Sequence, residues 1–302
     1  MNSKQTSIAV VVPVMNCGKT LGRTFDSILR QTLQPERIIV VYDVSSDNTL
    51  AVVMSYCESH PSLFVLINGP GEGVGAARQA ALSVVESEYV AFIDGDDWYL
   101  DTALENLFQS VSKTGAACGL VCKVHTDGKI LKHEPSGIGE VVDYETLKSS
   151  NPIAMSSTMY QTSLIRRVGG FDGKLLWIED YDFHLRIARV TDYHLLRNVT
   201  TFYTVYESTN IRRTYHYSKW SAIVWRKHGF VNTGAISNAL KSFVLTTILI
   251  PANLVRRIRD KNRRVFRAEY IQILMGYLVG LAIGYPPRKE KKTLKKGAIA
   301  VV

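Results

Sequence analysis

Cysteine is scarce and scattered in this chain: Cys17, Cys57, Cys118 and Cys122 include no C-x-x-C pair. That spacing fits reduced thiols in a cytosolic protein better than a disulfide scaffold or a zinc site. The run Ile8–Val14 is too short for the core of a signal peptide and carries no convincing cleavage pattern, so it reads as a first strand. No internal repeat or low-complexity block precedes the basic tail. Acids become rare in one segment only. Between Arg256 and Lys296, thirteen Lys/Arg stand against Asp260, Glu269 and Glu290, so this segment carries +10 and the remainder −1 of the net +9. The basicity belongs to a tail beside hydrophobic stretches. A nucleic-acid-binding core needs a basic face on the folded domain, so no nucleic-acid partner is expected.

What is present is enough apolar sequence, 46% of 302 residues, for one large domain or one domain with a sizeable appendage. The spacing predicts strands at 8–13, 37–42, 63–67 and 89–93, and helices at 20–31, about 48–57 and about 74–85. This β-α-β-α rhythm implies an α/β fold with a mostly parallel sheet covered on both faces. From 117 to 138 the pattern changes to short strands around a turn at Asp127-Gly128-Lys129. Another buried strand is expected at 155–160 and a helix from Glu179 through Arg189.

Asp94-Gly95-Asp96-Asp97 comes directly after the predicted strand 89–93. Three carboxylates where a strand ends repel one another unless a cation neutralises them, and Mg²⁺ or Mn²⁺ is held by one or two carboxylates plus waters and phosphate oxygens. The open end of a parallel strand is also where α/β folds bind ligands. The motif therefore reads as a metal-diphosphate site, against the plainer reading of an acidic turn. Asp43 ends the second predicted strand and is suited to accept a hydrogen bond from a nucleobase, while Ser46 or Asp47 caps the next helix. The glycine-rich stretch 69–75 leads into a helix carrying Arg78, which is placed to pair with phosphate or to orient an active-site carboxylate. Its partial G-x-G-x-x-A pattern comes after the third strand, not the first, and is read as coincidence. A third acidic cluster, Glu179-Asp180 and Asp182, opens a helix, where one carboxylate can take the proton of an attacking hydroxyl or simply cap the helix. His184 shares a face with Asp180, as a partner or as a core histidine.

In combination these residues resemble the family 2 glycosyltransferases with a GT-A fold. The matching stretches are Val12-Pro13-Val14-Met15-Asn16, Ser27 through Gln31-Thr32, the Asp43 turn, Gly75-Ala-Ala-Arg78-Gln79, Phe92-Ile-Asp94-Gly-Asp96-Asp97, Gly169-Gly-Phe-Asp172 and Glu179-Asp180. The resemblance spans roughly residues 7 to 210. It implies transfer of a sugar from a nucleotide-diphosphate donor to a glycan or lipid-linked acceptor, with inversion and with Mg²⁺ or Mn²⁺. Carried over, Pro13 and Asp43 border the nucleoside, and Arg78 lies near the diphosphate or the carboxylates. Asp94 faces ribose or metal, Asp96 is the principal metal ligand with Asp97 beside it, and Asp180 is the catalytic base with Glu179 adjacent. Two departures stand out. A single Asp43 replaces the usual pair of acids, and Phe202-Tyr203-Thr204-Val205-Tyr206 holds neither the Arg nor the His of a Tyr-Arg-x-His stretch. His216 and Arg212 are candidates to take their place.

The expected division is a catalytic domain at 1–215 and a helical, basic and apolar extension at 216–302. Residues 242–255 and 270–285 are nearly all apolar, and Gly276, Gly280 and Gly284 form a small-residue stripe suited to close helix packing. The second stretch is about 24 Å long as a helix, short of the roughly 30 Å hydrocarbon core. With its basic flanks, the extension at 240–302 is expected to attach peripherally to an anionic membrane at the cytoplasmic face. Two other functions are disfavoured: a nucleotidyltransferase by Glu179-Asp180, and a catalytically silent relative by the joint presence of Asp94, Asp96 and Asp180.

Overall fold

The computed structural model describes residues 7–135, 138–206, 211–244 and 260–283. These fall into two compact units, one of residues 7–147 and 152–206, the other of 148–151 with the described residues beyond 208.

In the first unit, β1 (Ile8–Val14) is an unbroken apolar run buried at every position, as a strand covered on both faces requires. It is followed by α1 (Leu21–Leu29), β2 (Arg37–Tyr42), α2 (Thr49–Ser59), β3 (Phe64–Asn68), α3 (Val74–Leu82) and β4 (Tyr89–Phe92). These four strands lie in the order β3-β2-β1-β4 and are mutually parallel. The chain steps from β1 to β2 on one side and returns to β4 on the other. The carboxyl ends of β1, β2 and β4 thus meet at a topological switch point, the place where open α/β sheets bind ligands.

Beyond β4 the parallel arrangement gives way to a mixed one. After β5 (Trp98–Tyr99) and α4 (Ala103–Thr114) come β6 (Ala116–His125), β7 (Ile130–Glu134), β8 (Val141–Val142) and α5 (Tyr144–Ser149), then β9 (Thr158–Gln161), α6 (Thr162–Arg167), α7 (Glu179–Ala188) and β10 (Tyr193–Val205). The sheet continues β4-β9-β6-β10-β5, with β7 on β6 and β8 on β10. Only β6 and β10 pair in parallel here; β9 is antiparallel to both β4 and β6. Helical crossovers give way to short connections such as the Asp127-Gly128 turn between β6 and β7, where Gly128 has φ +89°, and a tight turn joins only antiparallel strands. The strand expected at 155–160 opens as a 3₁₀ turn, Met155–Ser157, and pairs from Thr158. The main core lies between β1, β2, β4 and the helices, with Val10, Val12, Phe25, Ile28, Val40 and Leu104 fully enclosed.

The Ser27–Gln31 stretch of α1 and its end anchors the backbone just beyond the acidic turn. Ser27 Oγ accepts the Tyr99 N–H at 3.0 Å. Gln31 donates to the Leu100 carbonyl at 2.8 Å and accepts from the Leu104 N–H at 2.9 Å. These bonds satisfy buried backbone groups that no strand or helix ladder serves.

The second unit contains α8 (Ile211–Lys227), α9 (Thr233–Val244) and α10 (Asp260–Ile283). Gly276 and Gly280 let α10 meet the α8 backbone: a methyl on Gly276 would lie 2.6 Å from the Tyr215 carbonyl oxygen, and one on Gly280 2.1 Å from that of Lys219. Gly284, most of the apolar stretch 242–255 and the basic segment after 283 lie outside the described residues. Among the described residues no helix is long and apolar enough to cross a membrane.

Candidate active site

The acidic turn leaves β4 at the switch point and is bound from several sides. Thr20 Oγ1 donates to the Gly95 carbonyl at 2.9 Å and Thr24 Oγ1 to that of Asp97 at 2.7 Å. Gly95 is confined by Cys17, whose sulfur would lie 2.7 Å from an added methyl. The three acids then diverge. Asp97, 1% exposed, accepts from Ser156 Oγ at 2.5 Å and from the Thr204 N–H at 2.8 Å, one bond on each oxygen. Burial, then Asp94 and Asp96, push its carboxyl well above the ordinary range. This corrects the expectation of Asp97 as a metal ligand: it is turned into the protein, tying the acidic turn to β10 and to the 3₁₀ turn before β9. Asp94 and Asp96 remain partly exposed. The Asp96 carboxyl is raised by burial and by Asp94, and accepts a hydrogen bond from Tyr206.

Arg78 is the centre of the arrangement. It is 2% exposed, with one nitrogen 2.5 Å from Asp94 Oδ1 and the other 2.7 Å from Glu179 Oε1. Burial would depress its pKa, but Asp94, Glu179 and Asp180 reverse this and hold it charged. The guanidinium fork of Arg78, on α3, therefore joins the acidic turn after β4 to Glu179 in the first turn of α7, 101 residues along the chain from Arg78. Glu179 is pushed up to about 7 by burial and by Asp180. Asp180, partly exposed, is raised by burial against the opposing pull of Arg78, and its Oδ1 accepts the Tyr181 N–H at 2.7 Å.

Three details hold the start of α7 against α3. Gly75 leaves room for Glu179, whose Cγ would lie 2.7 Å from a methyl there. Gln79 Oε1 accepts the Phe171 N–H at 2.6 Å, which binds the Gly169–Asp172 turn to α3. Ile178, the residue before Glu179, has φ +61°. A β-branched residue in the left-handed region costs of order 1–3 kcal/mol and persists only where its surroundings impose it. His184 is a core histidine. It is fully buried, bonded through Nδ1 to Tyr193 at 2.9 Å and Tyr160 at 3.2 Å, and pushed by burial to about 3, so it is neutral.

Pro13 pairs in register with Val41 near the end of β1. Asp43 comes directly after β2 and is 7% exposed, with Oδ1 accepting the Gly71 N–H at 2.8 Å. The glycine-rich loop thus folds over Asp43, and Gly69 can carry no side chain because a methyl would lie 2.1 Å from that same oxygen. Asp47 accepts from the Thr49 N–H at the start of α2 and from the Gly18 N–H, both at 3.0 Å; it stands one residue ahead of the N-cap position, which Asn48 holds.

Sequence reasoning missed Arg23 and Tyr206. The Arg23 guanidinium lies 3.5 Å over the Trp98 ring and donates to the Asp96 carbonyl at 3.0 Å. Trp98 stacks on Phe202 with centroids 4.9 Å apart. Tyr206 donates its hydroxyl to the Asp96 carboxylate. Together they put a cation and a phenol beside Asp96, where the expected Arg and His are absent. The only sequence signal was the aromatic run at 202–206. Of the candidates named for that place, Arg212's side chain lies outside the described residues and His216 belongs to the second unit.

The donor set fits a hard divalent cation. Asp94 and Asp96 offer carboxylate oxygens, and burial and the neighbouring Asp94 charge raise the Asp96 carboxyl, a cost that a cation would lift. Among the described residues no three His, Cys, Asp or Glu side chains form a closed metal site. Magnesium-type sites are commonly completed by phosphate oxygens of the substrate.

This fold is the GT-A fold. It is similar to the Staphylococcus aureus TarS 1–349 structure in complex with UDP-GlcNAc, with TM-score 0.57 and 17% identity over 92% of this chain and 91% of that one. It is similar also to the Pyrobaculum calidifontis mannosyltransferase PcManGT in complex with GDP-Man and Mn²⁺, with TM-score 0.60 and 18% identity over 92% and 88%. Residues 9–168 match the family described as glycosyl transferase family 2, and the chain belongs to that family. A chondroitin synthase of Pasteurella multocida is 26% identical over 196 residues, 64% of this chain and 20% of the synthase. The chain thus spans about a fifth of that relative. A Streptococcus pneumoniae glycosyltransferase, GlyG, is 34% identical over 109 residues, 36% of each chain.

Proposed function

We propose that this chain transfers a hexose from a nucleotide-diphosphate donor to a glycan or lipid-linked acceptor, with inversion, in polysaccharide or glycoconjugate synthesis. The observation that carries the reading is the Arg78 fork, which brings Asp94 of the acidic turn and Glu179 of α7 onto one guanidinium. Groups distant in sequence thereby share one site.

Pro13 and Asp43 border the nucleoside, and Asp94 and Asp96 face the ribose and diphosphate. A bound Mn²⁺ or Mg²⁺ on Asp96 supplies Lewis-acid neutralisation of the leaving group. Asp180 is the general base. The acceptor oxygen bonds to the anomeric carbon on the face opposite the diphosphate, its proton passes to Asp180, and the anomeric C–O bond breaks with its electron pair leaving on the nucleoside diphosphate. The raised Asp180 pKa suits it to this, since a base works best when its pKa approaches the working pH. Glu179 stays bonded to Arg78 and holds the α7 turn in place. The domain reading is a catalytic part at 1–215 and an extension at 216–302 that associates with the inner face of an anionic membrane.

A panel of nucleotide sugars incubated with Mn²⁺ tests the reading. Nucleoside diphosphate should be released from one donor, and chelation should stop that release. Pyrophosphate release would point to a nucleotidyltransferase, and absence of donor binding throughout would reject both.

A further inference from the structure

Among the described side chains of α10, one face packs on α8 and another is open to solvent. Gly276 and Gly280 pack on α8, Tyr277 stacks on Trp225 at 5.0 Å, and Arg226 donates to the Leu281 carbonyl at 2.6 Å. On the far side Ile271, Met275 and Leu278 are 45%, 46% and 63% exposed. Their spacing of four and three residues repeats one face of a helix, about opposite the glycines. Exposed apolar residues aligned in this way mark an interaction surface more often than isolated ones do.

Charge selects the occupant. Seven Lys/Arg lie between Arg256 and Arg267, before the ridge, and six between Arg288 and Lys296, after it, while the rest of the chain is slightly acidic. An apolar strip bracketed by cations is the pattern of a helix lying in the headgroup region of an anionic bilayer. A second copy of the same chain would bring like charges together at both ends. We propose that the Ile271, Met275 and Leu278 ridge is the surface that docks this chain on an anionic lipid bilayer. The inference deepens the membrane reading above and rests on it.

Flotation of the full chain with phosphatidylcholine vesicles, with and without phosphatidylglycerol, tests the assignment. Wild type floats with the anionic vesicles only, and less as salt rises. The triple variant I271S/M275S/L278S loses at least about ten-fold in bound fraction, because apolar burial supplies part of interfacial binding. The control I130S/L131S/V141S, which removes exposed apolar side chains from the first unit, floats like wild type. Leu278→Trp, with circular dichroism and thermal unfolding matching wild type, enlarges the anchor and binds several-fold more. If wild type floats and both ridge changes leave binding unaltered, the ridge assignment is overturned while the membrane reading stands. If wild type does not float, the membrane reading falls with it. A wild-type dimer dispersed by the triple substitution, with vesicle binding unchanged, identifies the ridge as a self-association face and also overturns the proposal.

Discussion

At the scale of single residues, Arg78 is the group on which the others depend. It is buried between two carboxylates, so removing it leaves charges without a partner rather than merely deleting a bond. Arg78→Met is expected to destabilise the protein by about 3–5 kcal/mol, the range for breaking a buried ion pair, read from urea unfolding. Arg78→Lys keeps the charge but not the fork, and should retain most of the stability while losing turnover. Glu179 gives a pH signature. Its folded pKa of about 7 lies above the ordinary 4.5, so the native state holds this proton more tightly than the unfolded chain. That contribution is complete below about 4.5 and is lost as pH rises to about 7. Glu179→Gln should flatten the fall in stability across this window. An unchanged slope would show that the carboxyl ionises as freely in the folded protein as in the unfolded chain.

At the scale of elements, the contact of α3 with α7 sets where Asp180 stands. Gly75 lies inside α3 with ordinary helical geometry, so Gly75→Ala carries no backbone penalty and acts through its methyl, 2.7 Å from Glu179 Cγ. The expected result is a kcat lowered about ten-fold or more with donor KM little changed, since a base displaced by an ångström can cost up to about 10²-fold. Steady-state kinetics on the purified variant decides this.

The first four strands and α7 were legible in the sequence because each is a local pattern: an unbroken apolar run, or acids opening a periodic helix. The acids at 94–97 were legible for the same reason. The inward turn of Asp97 was not, because it depends on Ser156 and on a backbone N–H of Thr204, 59 and 107 residues away. Arg23 and Tyr206 escaped notice on similar grounds. They come together beside Asp96 only after β10 has paired with β5 and placed Phe202 on Trp98.

At the scale of the whole chain, positive charge is concentrated between Arg256 and Lys296, while a cluster of acids marks the candidate site. Arg78 gathers Asp94, Glu179 and Asp180, Asp96 stands beside Arg23, and on the proposed reading a divalent cation with the donor's diphosphate would complete that balance. Donor binding is therefore expected to fall on chelation and to return with Mn²⁺, measured by calorimetry. The decisive comparison sets Asp180→Asn against wild type for both donor affinity and single-turnover transfer. Transfer should drop by about 10²–10⁴-fold, the usual contribution of a general base, with donor affinity almost intact. Undiminished transfer by Asp180→Asn would remove Asp180 from the chemistry.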